Sequence, residues 1–191
     1  MFRAIKAFLL TLLAYLLQVS VMQHLKIGGV AANLAAVNIA IITVSLGKKH
    51  AFCTSCLTGI LLEAMTASVG GLYAVLYPVV SMLFAQVFAD MSDEKRERRM
   101  LRQSDGRRIK GDMNPHLRIP LCAVCITASL EAIFLVYASL SGTELALSRL
   151  IGRAVLTVVY TGVLAVLVMA PARWYLGMYG RRVRRAMVEV K

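Results

Sequence analysis

Hydrophobic residues in this chain come in long blocks rather than in stripes. Six blocks stand out, near Ala7–Met22, Gly29–Leu46, Ala51–Val69, Leu72–Ala89, Ile119–Leu140 and Ile151–Ala172. Inside them, polar residues do not recur at the spacing that gives a water-facing helix its second face. The blocks are close in length to the roughly 20 residues a helix needs to cross the apolar layer of a bilayer. The pattern predicts an all-α protein: a polytopic membrane protein whose six transmembrane helices form one domain over residues 1–191. A soluble helical protein would need polar faces that these blocks lack. Arg3 and Lys6 precede the first block, as in a signal peptide. No small-x-small cleavage site follows it, so an uncleaved first helix is expected.

Composition agrees with that reading. The chain is 59% apolar with a mean hydropathy of +0.69, against roughly 45–50% apolar in soluble domains. Its net charge of +12 would point to nucleic acid in a soluble protein, but no helix-turn-helix or zinc-finger pattern is present. The basic residues lie between and after the apolar blocks, where they set topology. With both termini in the cytoplasm, 19 of the 22 basic residues fall inside, and only Lys26, Arg149 and Arg153 remain outside. The expectation is a multi-pass inner-membrane protein with an even number of spans. One connection is long. Residues 90–118, "DMSDEKRERRMLRQSDGRRIKGDMNPHLR", form a charged cytoplasmic loop, and residues 173–191 a basic cytoplasmic tail. Pairs such as Glu94 with Arg98 would let the fourth helix run on into the cytosol. Both segments suit either attraction to anionic lipid or docking of a cytoplasmic partner.

Polar residues inside the blocks are the candidates for function. The stretch "GILLEAMTASVGGLYAVLYP", Gly59 to Pro78, carries a carboxylate, Glu63, in an apolar run. A charge at mid-bilayer costs at least ~2.5 kcal/mol, so it must pair, face other helices or take a proton. Glu63 lies twelve residues past Ala51, about 18 Å along a helix at 1.5 Å per residue, in the outer half. Glu131 lies at a similar depth in the fifth block, and Arg153 enters the sixth from outside. A Glu63–Arg153 pair is therefore within reach. Gln18, Asn33 and Asn38 also fall inside apolar blocks. These six residues are expected to converge in the outer half of the bundle. Three roles fit them: polar glue between helices, a pocket for a small ligand or lipid, or a proton relay.

Cysteines occur as two i, i+3 pairs, Cys53 with Cys56 and Cys122 with Cys125, both near cytoplasmic helix ends. Four converging thiolates could hold a metal, but a pair within a helix is not the usual knuckle loop. Buried free thiols and no metal are expected, and disulfides are not expected on the reducing side. His24, His50 and His116 lie at block edges. No nucleophile–base pair and no phosphate loop is present, so neither an enzyme nor a cofactor is expected. Gly70 and Gly71 make a tight turn between two helices, a candidate partner-facing turn.

Read in order, these motifs resemble a family. A first helix with Gln18 is followed by "LKIGGVAANL" (Leu25 to Leu34), a basic "GKK", then "GILLEAMTASVGGLYAVLYP", and finally "LAVLVMAPARWYLGMYGRR" (Leu164 to Arg182). The order resembles MreD, the membrane component of the bacterial rod-shape and wall-elongation machinery. Ala32–Asn33–Leu34 stands where that family often has proline and aspartate, and Glu63 where it usually has aspartate. The resemblance implies a non-enzymatic scaffold beside an MreC-like single-span partner, the MreB filament and the wall synthases. It also implies a bundle similar to the S components of energy-coupling-factor vitamin transporters. Membrane lipids, and no nucleic acid, complete the expected partners. The alternative is a vitamin-binding S component, which would dock a coupling protein through small first-helix residues; Ala4, Ala7 and Ala14 leave gaps there, but no Ala-x-x-x-Ala repeat appears.

The charge asymmetry predicts that a fluorescent protein fused to the C-terminus is bright in the cytosol. Alkaline phosphatase fused at the same point should be inactive; an active fusion would reverse the predicted orientation.

Overall fold

The computed structural model describes residues 2–66, 71–89, 115–140 and 147–176. Six helices occupy them: α1 (Phe2–Ser20), α2 (Leu34–Leu46), α3 (Lys48–Thr66), α4 (Leu72–Phe88), α5 (Pro115–Leu140) and α6 (Leu147–Tyr175). Among the described residues there is no strand, only one bridge between Ile27 and Val30. Among the described residues the fold is all-α. The proposed extension of the fourth helix through Glu94 and Arg98, Gly70, and most of the 90–118 loop and the tail lie outside the described residues. The described parts of those last two segments are helical apart from Leu176, which is in a turn. Pro115–Arg118 already belong to α5 and Arg173–Tyr175 still belong to α6.

Length separates the helices. In α5 and α6, spans of 25 and 27 residues are long and apolar enough to cross a membrane, about 38 and 40 Å at 1.5 Å per residue. The others fall short of that standard. α1, α2 and α4 are apolar but shorter, and α3 opens on Lys48, Lys49 and His50. Hydropathy alone had put six crossings here.

The largest difference is in the second block. Helix α2 begins at Leu34, five residues later than the apolar run, and its 13 residues rise only about 20 Å. The reason lies in "IGGV". Gly28 and Gly29 have φ of +61° and +78°, which is the backbone of a two-residue turn that only glycine adopts without strain. Ile27 and Val30 close it by exchanging both N–H···O bonds, at 3.0 and 3.1 Å. Residues 21–33 therefore run as turns and extended chain, held to α6 by the Tyr160 hydroxyl donating to the Leu25 carbonyl at 3.1 Å.

Short α2 is the axis of the bundle. It touches all five other helices, and every residue from Leu34 to Val44 is buried. A helix that is apolar on all sides has no solvent face to offer and is packed all round. The helices around it bury hydroxyls along with apolar side chains and leave many aliphatic ones exposed. Thr11, Thr43, Thr54, Thr58, Thr127, Thr157 and Thr161 are buried, while Val155, Val159, Val163, Val166 and Leu167 of α6 are exposed. Six of those threonines donate to a carbonyl one turn back, as Thr127 does to Ala123 at 2.9 Å, so they bury no idle hydroxyl. Small and hydroxylated residues inside with branched aliphatics outside is the pattern of helices that pack in lipid. Ala7 and Ala14 of α1 are buried, with Ala14 in the shared core. They are used within the bundle, and Ala4 alone of the three small residues is exposed.

Glycine sets the closest approach. A Cβ on Gly59 would stand 2.7 Å from the Tyr73 carbonyl oxygen and 3.0 Å from the Ala74 Cα, both backbone atoms. The first turn of α4 therefore lies directly on α3. On Gly162 the obstruction is a methyl of Val124 at 2.9 Å, which can turn aside. Gly59→Ala should therefore cost more stability than Gly162→Ala, about 1–3 kcal/mol as for other overpacked sites. Thermal unfolding of the purified variants in detergent measures both; equal losses would contradict the α3–α4 contact.

Candidate functional site

Two helices, α2 and α4, have starts that side chains of other helices finish, the first buried and the second half-buried. A helix start leaves backbone N–H groups without partners, and in an apolar medium each must find an acceptor. The polar residues singled out in the sequence do this work. At α2, Gln18 of α1 accepts from the Leu34 N–H at 2.6 Å and donates to the Ala32 carbonyl at 3.2 Å. Asn33 is the N-cap, its side-chain oxygen accepting from the Ala36 N–H at 3.0 Å. Its amide nitrogen donates to the Tyr77 hydroxyl of α4 at 3.0 Å, and its backbone N–H to the Thr161 hydroxyl of α6 at 3.0 Å. Four helices thus meet at Asn33.

Helix α4 is capped from its neighbour. The two carboxylate oxygens of Glu63 accept from the Gly71 N–H and the Tyr73 N–H, each at 2.8 Å. The negative charge sits at the positive end of the helix dipole. Glu63 is one turn beyond Gly59, on the face where α4 comes closest, so Gly-x-x-x-Glu works as one unit: the glycine admits α4 and the carboxylate ties its start. Gly71, expected to face a partner, uses its N–H in this tie. Tyr73 and Tyr77 continue the connection along α4, and the Tyr73 ring packs against Phe134 of α5 at 5.2 Å between centroids.

The six candidate residues do not form one cluster. Gln18 and Asn33 share the α2 start and Glu63 holds the α4 start. Asn38 is deeper, donating to the Thr11 hydroxyl at 3.1 Å. The Glu63–Arg153 pair that was within reach does not form, because nearby backbone N–H groups claim both carboxylate oxygens. Arg153 instead faces Glu131 across a cleft of about 540 Å³ between the 21–33 segment, α5 and α6. Lys26 also lines it, with Phe134, Leu135 and Leu150 supplying apolar surface. The four cysteines are free: Cys122 is buried, Cys56 and Cys125 half-buried, Cys53 exposed. Among the described residues no three His, Cys, Asp or Glu side chains gather where a metal could sit.

Tyr77, Thr161 and Lys26 were not among the sequence candidates. A tyrosine and a threonine are ordinary in apolar helices, so no local signal marked the first two. Lys26 was visible as one of three outward basic residues.

No known protein family, curated protein or solved structure matches this chain.

Removing a two-bond cap that carries charge should cost about 1.5–3 kcal/mol per bond. Glu63→Ala is expected to lower the melting temperature in detergent substantially. Glu63→Gln, which keeps one acceptor oxygen, should lose about half as much, whereas a Gln variant as stable as wild type would mean the charge and second bond contribute nothing.

Proposed function

We propose that this chain is a multi-pass protein of the bacterial cytoplasmic membrane, with both termini cytoplasmic, that serves as an MreD-like scaffold of wall elongation. In this reading it holds an MreC-like single-span partner beside the MreB filament and the wall synthases. The observation that carries the proposal is the use of the interior polar groups. Gln18, Asn33, Tyr77, Thr161 and Glu63 are spent tying helices to one another, which favours a fixed body over a catalyst. Each tie has at least one end within the segments that carry the family resemblance, "LKIGGVAANL" and "GILLEAMTASVGGLYAVLYP". An exterior of exposed aliphatic side chains, such as Val75, Val79, Leu83 and Val87 along α4, gives a single-span helix broad surface to lie against.

A second reading is a vitamin-binding S component. The cleft favours it, since about 540 Å³ falls in the usual range for small-molecule sites, roughly 300–1,000 Å³. Against it stands the burial of Ala7 and Ala14, which leaves no stripe of small residues on α1 for a coupling protein.

Gentle purification from native membranes separates the two. The scaffold reading expects a co-purifying single-span protein with wall synthases and no stoichiometric vitamin, and rounding of a rod-shaped cell on depletion. A retained vitamin with paired ATPases would overturn it.

A further inference from the structure

Charge asymmetry leaves few cations for the outer side of this chain: Lys26, Arg149 and Arg153. Two of the three line one cleft, and the carboxylate of Glu131 stands opposite them. Sequence separation makes this notable, because Lys26 precedes the central helix while Glu131 and Arg153 belong to the last two. Within the 4.0 Å that defines an ion pair, none of the three side chains meets a described partner of opposite charge. Glu131 is half-buried and Arg153 and Lys26 are exposed at the mouth. Placing a half-buried carboxylate opposite a guanidinium without closing the pair leaves room for something between them.

We propose that this cleft binds the head group of a zwitterionic phospholipid that carries a primary amine. The proposal rests on the membrane-embedded reading but not on the scaffold role. The charges alternate as such a head group does. The phosphate takes Arg153, which can grip two of its oxygens at once, with Lys26 as the second cation. The ammonium takes Glu131, which accepts its N–H bonds. Phe134, Leu135 and Leu150 add apolar surface beside the three charged groups. A lipid with a quaternary ammonium lacks the N–H donors, and an anionic lipid leaves Glu131 unanswered, so both should bind more weakly. The cleft opens beside the 21–33 segment and runs in as far as Glu131, nine residues or about 14 Å from the Leu140 end of α5.

The test uses the purified full chain in detergent with phosphatidylethanolamine, phosphatidylcholine or phosphatidylglycerol added at equal mole fraction. Thermal unfolding and native mass spectrometry are the readouts. Phosphatidylethanolamine should raise the melting temperature by about 5–10 °C at saturation and appear as one retained lipid per chain. Arg153→Gln should lose the response to all three lipids. Glu131→Gln should keep a response to phosphate but lose the preference for ethanolamine, while Arg149→Gln, outside the cleft, behaves as wild type. Equal shifts from phosphatidylethanolamine and phosphatidylglycerol in the wild type, or a preference that survives Glu131→Gln, would overturn the proposal. Soluble glycerophosphoethanolamine giving the full shift would also overturn it, assigning the cleft to a free zwitterion. Alkaline carbonate extraction of native membranes checks the embedded reading separately, since a chain released there would fail that reading whatever the lipid result.

Discussion

A backbone N–H group with no water to bond is the constraint around which this bundle is built. Helices that run the full thickness of an apolar layer put their starts at its edges, where solvent supplies acceptors. In α2 and α4 the starts are finished otherwise, since a turn segment leads into α2 and Glu63 of α3 lies against the first turn of α4. Each start must be finished by side chains from elsewhere. Gln18 and Asn33 finish α2, Glu63 finishes α4, and Tyr77 joins the two systems. Specific polar contacts of this kind supply direction that apolar packing lacks. They fix which helices are neighbours and at what height, and the buried threonines and glycines then set how closely those neighbours approach.

The anomaly of a carboxylate in an apolar run is resolved in these terms. Glu63 is neither a surface residue nor one half of an ion pair. It is the acceptor for a helix that starts beside it, and Gly59 one turn earlier is its structural complement. Glu131 is different in kind. It holds no start and faces a cleft with two cations. The same residue type, at a similar position along its helix, performs a cohesive task in one place and faces open volume in the other. Backbone N–H groups within reach decide between the two.

Much of this architecture was legible in the sequence. Helix α4 begins at the predicted residue and ends one short of its block, and α5 ends at the predicted residue; α1 and α3 differ from their blocks by a few positions. Gln18, Asn33, Asn38 and Glu63 were found because polar groups in apolar runs must have a reason. The start of α2 was not found. Hydropathy runs unbroken through Val30, Ala31 and Ala32, but hydropathy reports which solvent a residue prefers, not its backbone conformation. The paired glycines ahead of that run were the usable signal. The pairing of the polar residues was also hidden. Tyr77 and Thr161 carry no mark at the level of sequence, and depth along a helix does not say which way a side chain points. The reach between Glu63 and Arg153 therefore gave a plausible partner but not the nearest one.

The tie at Asn33 has a consequence for how the chain is made. Asn33 emerges from the ribosome early, but Tyr77 follows 44 residues later and Thr161 follows 128 residues later. Until α6 has been synthesised, the segment leading into α2 lacks one of its acceptors and the central helix has no complete wall around it. The middle of the bundle is therefore completed from its C-terminal end. Formation of the early helices and acquisition of the final structure are separate events for this protein, and the second waits on the last helix.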